Sequence, residues 1–118
     1  MSNINNTINY IEFPLVNNSA TKDFYSQVFG WQFTDWGPDY ISFAGAAVEG
    51  GFNGVDGIKP SPSGSGVLVV LYADNLAKTL KAVEDAGGEI NKAIFNFPGG
   101  KRFHFIDPNG NELAVWSE

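Results

Sequence analysis

Cysteine is absent from the 118 residues. Its absence excludes disulfides, thiolate nucleophiles and sulfur-ligated metal, and fits a reducing compartment. Histidine occurs once, as His104. Basic residues are few: 7 Lys and Arg against 13 Asp and Glu give a net charge of −6. Such a field repels phosphate backbones and anionic lipid surfaces, so neither nucleic acid nor a membrane is an expected partner. No apolar run approaches the roughly 20 residues of a membrane-spanning helix. The opening Met-Ser-Asn-Ile-Asn-Asn also lacks the basic and apolar regions of a secretory signal. The expectation is a cytoplasmic protein. What the chain has in quantity is aromatic side chains, 10 Phe, 4 Tyr and 3 Trp. That is enough bulky surface to fill one core, and the length predicts a single domain.

From Ile8 to Val16 the apolar pattern is that of a strand, and it runs into Asn17-Asn18-Ser19, three good helix N-caps. Ala20, Phe24, Val28 and Phe29 then recur at helical spacing until Gly30, placed for a left-handed C-terminal residue. Residues 31–36, 40–43 and 46–52 are short aromatic and β-branched runs broken by Gly, Pro and Asp, which predicts three antiparallel strands. Residues 56–66 are rich in Gly, Pro and Ser and are expected to serve as a linker. The pattern then repeats. Val67–Tyr72 reads as a strand, Asp74 and Asn75 as caps, and Leu76, Leu80 and Val83 as a helical stripe closed by Gly87-Gly88. Residues 89–97, 102–106 and 111–116 read as three more strands, the last two joined by the turn Asp107-Pro108-Asn109-Gly110.

A shift of 57 positions lays Tyr10 on Val67, Asn17 on Asp74 and Gly30 on Gly87. The chain is therefore an internal repeat of a βαβββ unit: module one over 1–55, the linker over 56–66, module two over 67–118. One such sheet leaves a concave face uncovered, and two copies can curl around a shared cleft. The expected fold class is α+β, a curved mixed sheet around that cleft.

The paired units, Asp23-Phe24-Tyr25-Ser26-Gln27-Val28-Phe29-Gly30-Trp31, Asp74 before the second helix and Asp107-Pro108-Asn109-Gly110-Asn111 together resemble the vicinal oxygen chelate superfamily. Its branches include glyoxalase I, bleomycin-resistance proteins and extradiol dioxygenases. The resemblance spans nearly the whole chain and is nearest to small glyoxalase-like proteins. It implies that metal-dependent members hold a divalent ion with residues from the first and last strands of each module. Here the first-strand positions correspond to Tyr10 and Val67, and the last-strand position of module two to Ala114. The remaining position falls among Val48, Glu49, Gly50 and Gly51. A divalent metal needs three or more converging ligands, and Glu49 alone would not hold one. No metal or other cofactor is expected.

Strand alternation then assigns the cleft. With Tyr10 facing inward, Ile8, Glu12 and Pro14 share its side, while Ile11 and Phe13 face the helix. By the same rule Val67, Val69 and Leu71 line the cleft from module two, and Glu112, Ala114 and Trp116 from the last strand. A largely apolar cleft with two carboxylates suits a partly hydrophobic ligand carrying a polar or cationic group. Glu12, a charge within an apolar strand, is the candidate for ligand recognition or proton transfer, against pairing with Arg102 or exposure at the mouth. His104 shows no partner in the sequence and is expected to be a hydrogen-bonded structural residue rather than a general base. Gly99-Gly100-Lys101-Arg102 could hold an anion or simply turn. Asp107, Asn109, Asn111 and Glu112 suggest calcium only superficially, because Gly110 comes too early for an EF-hand loop.

These observations lead to a metal-independent small-molecule binding protein of the glyoxalase/bleomycin-resistance type, with no membrane or nucleic-acid partner expected, and expected as a homodimer because short strand edges need cover. The alternatives are a glyoxalase-type lyase, isomerase or dioxygenase using a divalent metal, with Glu12 as acid/base or Glu49 as ligand, and a structural or interaction module.

Overall fold

The computed structural model describes residues 3–55 and 57–118, so Asp56 of the linker lies outside the described residues. Two four-stranded sheets carry the fold. Module one contains β1 (Tyr10–Pro14), α1 (Asn18–Phe29), β2 (Gln32–Asp35), β3 (Tyr40–Ala44) and β4 (Glu49–Asn53). Module two contains β5 (Val69–Tyr72), α2 (Leu76–Asp85), β6 (Glu89–Phe97), β7 (Gly100–Ile106) and β8 (Glu112–Ser117). The strand orders are β1-β4-β3-β2 and β5-β8-β7-β6, with β1 parallel to β4 and β5 parallel to β8. The α+β repeat of βαβββ units is therefore present.

Both helices start where the caps predict. The Asn17 side chain accepts from the Ala20 N–H at 3.0 Å and the Asn75 side chain from the Lys78 N–H at 3.1 Å, each satisfying an N–H the helix leaves unpaired. Gly30, at φ 73°, closes α1 in the left-handed conformation and donates its N–H to the Ser26 carbonyl. Of the two candidate caps before α2, Asn75 acts and Asp74 does not.

The repeat is not a uniform shift. The N-caps Asn17 and Asn75 lie 58 positions apart, and the glycines Gly30 and Gly87 lie 57 apart, because α1 is longer than α2. The strand before each helix follows its N-cap: Leu15 donates to the Asn53 carbonyl as Ala73, 58 positions on, donates to that of Trp116. Tyr10 thus corresponds to Leu68 rather than Val67, and Glu12 to Val70 rather than Val69. Since side chains alternate along a strand, this one-residue difference exchanges the faces of β5. Val69 and Leu71 sit in register with the buried Leu113 and Val115 and pack against the core. Val70 and Tyr72, in register with Ala114 and Trp116, share the sheet face of those two residues.

The core is aromatic and continuous between modules. Tyr25 stacks on Trp31 at 4.7 Å between centroids and Trp31 on Phe43 at 4.5 Å. Phe24 and Phe29 of α1 reach Phe105 of β7 at 5.7 and 6.0 Å. The turn after β7 completes the joint. Asn109 Oδ1 accepts from the N–H groups of Val16 and Asn17 at 2.7 and 3.0 Å and from the Thr21 hydroxyl at 3.0 Å. Asn111 donates to the Pro14 carbonyl at 3.0 Å. The residues that superficially suggest calcium are therefore largely spent on locking the modules together.

Candidate functional site

A cavity of about 420 Å³ opens between β1 of module one and the segment leading into β5 of module two. Its walls come from β1 (Glu12 among them), from linker residues such as Ser61 and Gly64, from Val67–Val69, and from Lys92, His104 and Glu112. The Gly/Ser segment read as a linker is thus also a wall of the site.

On the module-one side, β1 pairs Glu12 with Gly51, and β3 pairs Ser42 with Gly51 and Tyr40 with Asn53. Alternation puts Tyr10, Glu12, Tyr40 and Asn53 on one face. The Tyr10 and Tyr40 hydroxyls meet at 2.5 Å, Tyr40 donates to Glu12 Oε1 at 2.9 Å, and Asn53 Nδ2 donates to Oε2 at 3.2 Å. Burial first, then the hydrogen bonds to Tyr10 and Glu12, push the Tyr40 hydroxyl well above its ordinary pKa, so it stays protonated. Glu12 lines the cavity and is held by Tyr40 and Asn53, not by Arg102. The Arg102 guanidinium lies over the Phe95 and Phe97 rings at 5.4 and 5.7 Å instead.

On the module-two side, β7 and β8 place His104, Glu112 and Ala114 on one face, with Phe103 and Phe105 buried on the other. The His104 ring, 3% exposed, has its Nδ1 2.8 Å from Glu112 Oε2. Glu112 Oε1 accepts from the Gly64 N–H at 2.7 Å and the Ser63 hydroxyl at 3.2 Å, and Oε2 accepts from Asn91 Nδ2 at 3.2 Å. Burial acts to raise the Glu112 pKa, but the bonds from Gly64, His104, Asn91 and Ser63 outweigh it and hold the carboxyl at about 2. His104 does have a partner, eight residues on. The pair was accessible from sequence: a hairpin closed by Asp107–Asn111 sets Ile106 opposite Glu112, and period-two alternation then brings His104 to the same side.

Of the residues assigned from sequence, Glu12, Val67, Val69 and Glu112 line the cavity. Val67 does so from the segment before β5 and is 92% exposed. Tyr10, Ala114 and Trp116 lie on the concave face but outside the cavity wall, Trp116 packing on Tyr72 at 5.1 Å. Glu49 sits exposed in register with Tyr10.

Register also identifies the undetermined position. Ala114 pairs with Val70, the counterpart of Glu12, and Glu12 pairs with Gly51. Gly51 is therefore the module-one equivalent of Ala114. A Cβ there would lie 2.6 Å from the hydroxyl oxygens of both Tyr10 and Tyr40, so those hydroxyls fill the space a ligand side chain would need. The four positions hold Tyr10, Leu68, Gly51 and Ala114, a set that does not fit a divalent metal. Among the described residues no cluster of three or more His, Asp or Glu could hold one elsewhere, and no helix is long and apolar enough to cross a membrane.

Known proteins share this architecture. A crystal structure of a glyoxalase-related enzyme from Fulvimarina pelagi superposes with a TM-score of 0.79 at 18% identity, covering 96% of this chain and 88% of that one. TnmS3, an antibiotic binding protein from Streptomyces sp. CB03234, superposes with a TM-score of 0.68 at 21% identity over 94% of each chain. In sequence, the chain is 27% identical over 121 residues to "Putative glyoxylase CFP32" of Mycobacterium bovis, covering 93% of this chain and 45% of that protein. The chain thus spans about half the length of that relative. The sequence pattern of one family matches residues 7–115, nearly both modules. With the repeat, the joint and the concave site in place, the chain belongs to the Glyoxalase/Bleomycin resistance protein/Dioxygenase superfamily.

Proposed function

We propose that this protein binds a partly hydrophobic small molecule in the cavity between β1 and β5 without a metal ion. The observation that carries the reading is the combination of a retained cavity with Tyr10, Leu68, Gly51 and Ala114 at the positions where metal-dependent relatives place ligands. The lining combines apolar residues such as Phe13, Val67 and Leu68 with the polar Glu12, Lys92, His104 and Glu112, and small-molecule sites pair apolar wall with placed polar groups. The antibiotic binding by TnmS3 supports a sequestering role on this fold. The test is elemental analysis after equilibrium dialysis against zinc, nickel and iron, paired with a native mass spectrometry screen of small molecules. Stoichiometric metal that returns after stripping would reject the reading.

The rival reading is a glyoxalase-type lyase, isomerase or dioxygenase. The His104–Glu112 pair favours it, since a carboxylate-oriented imidazole is suited to moving protons. A methylglyoxal–glutathione assay with and without added metal separates the two, because metal-dependent turnover supports only the enzyme.

A further inference from the structure

Glu112 receives donors on both oxygens: the Gly64 N–H and Ser63 hydroxyl on Oε1, and the Asn91 amide on Oε2. An ionised carboxylate can only accept. The 2.8 Å contact to His104 therefore places a proton on Nδ1, and in the neutral tautomer that satisfies this contact the lone pair is on Nε2. That nitrogen is buried and has no hydrogen-bond partner among the described residues, and His104 is one of the residues that line the cavity. A buried acceptor left unpaired costs about 1–3 kcal/mol, a cost a bound donor removes.

We propose that His104 Nε2 is the acceptor that anchors the ligand, and that the ligand class is a partly apolar molecule presenting a weakly acidic O–H or N–H group. This rests on the small-molecule reading of the same cavity. With an acidic enough donor the proton moves from the ligand oxygen to Nε2, giving a ligand anion beside an imidazolium whose counter-charge is Glu112. The other charged groups facing the ring are Lys92, opposite it on β6, and Glu12, across the cavity on β1; Arg102 lies two residues before it on β7.

The single histidine makes the test direct. Imidazole ¹⁵N spectra of the free protein are expected to show protonated Nδ1 and unprotonated Nε2; the opposite tautomer overturns the proposal. 4-Nitrophenol and its O-methyl ether, 4-nitroanisole, then serve as matched probes. The expected result is at least about tenfold tighter binding of the phenol, a shift of Nε2 toward the protonated state, and loss of both effects in His104→Phe. Equal binding with Nε2 unmoved overturns the anchor but leaves the cavity as a binding site. Binding of neither probe, with the methyl resonances of the cavity-lining Val67 and Leu68 unperturbed, overturns both. Should His104→Phe fail to fold, the wild-type spectra and the phenol-to-ether ratio still decide.

Discussion

The Tyr25 hydroxyl of α1 donates to Asp107 Oδ2 of the β7–β8 turn at 2.8 Å, joining two buried groups 82 positions apart in the sequence. Burial, then the charge of Asp107 and the hydrogen bond to it, raise the Tyr25 pKa well above its ordinary value, so the hydroxyl is a permanent donor. Tyr25→Phe keeps the ring stacked on Trp31 and removes only this bond. It should cost about 2 kcal/mol, read as a lower urea midpoint at unchanged slope. An unchanged midpoint would show that the Asn109 and Asn111 amides suffice for Asp107.

Gly50 lies where two strands and a ring crowd together. A Cβ there would stand 2.1 Å from the Ile11 carbonyl oxygen and 2.4 Å from the Phe43 ring. The carbonyl belongs to the paired β1 backbone and cannot retreat without opening the ladder. Gly50→Ala should therefore destabilise by about 3 kcal/mol, at the upper end of overpacking costs. Thermal unfolding of the variant against wild type measures this.

Glu112 sets an acid limit. Its carboxyl is held at about 2, below the ordinary 4.5. A depressed carboxylate contributes stability that is present above its unfolded pKa and lost as pH falls through the folded one. Wild-type stability should thus drop between pH 4.5 and 2 by on the order of 2 kcal/mol more than that of Glu112→Gln. Parallel curves would assign no such contribution to Glu112.

Glu12→Gln keeps the shape of the side chain and its capacity to accept from Tyr40 while removing the charge. For the first ligand found by the mass spectrometry screen, affinity should fall about tenfold or more, the loss expected for a hydrogen bond to a charged group. Full affinity from pH 5 to 8, roughly the range where perturbed carboxylates and histidine titrate, would remove Glu12 from the site.

The concave face of module two exposes Val70 at 40% and Tyr72 at 48%, beside Trp116. Contiguous apolar surface of this kind seeks cover, and a second copy supplies it in most small oligomers. Light scattering at micromolar concentration should give the mass of a homodimer. A monomer mass would refute that expectation.

Local chemistry in the sequence determined the elements: Asn17 and Gly30 bound α1, the Asp107–Gly110 turn closes β7 onto β8, and the repeat places a cleft between modules. It also placed Glu12 on the concave face, because alternation within one strand needs no partner. Tertiary structure alone decided the rest. Whether Val69 or Val70 shares a sheet face with Ala114 depends on sheet register, and a difference of one residue in the repeat reverses it. The Gly51 counterpart of Ala114 likewise emerges only from the pairing of β1 with β4. The linker's place in the cavity wall depends on Ser63 and Gly64 reaching Glu112, 49 and 48 positions away. Periodicity records which side of its own element a residue takes, but contacts between distant segments are set by packing that no local pattern encodes.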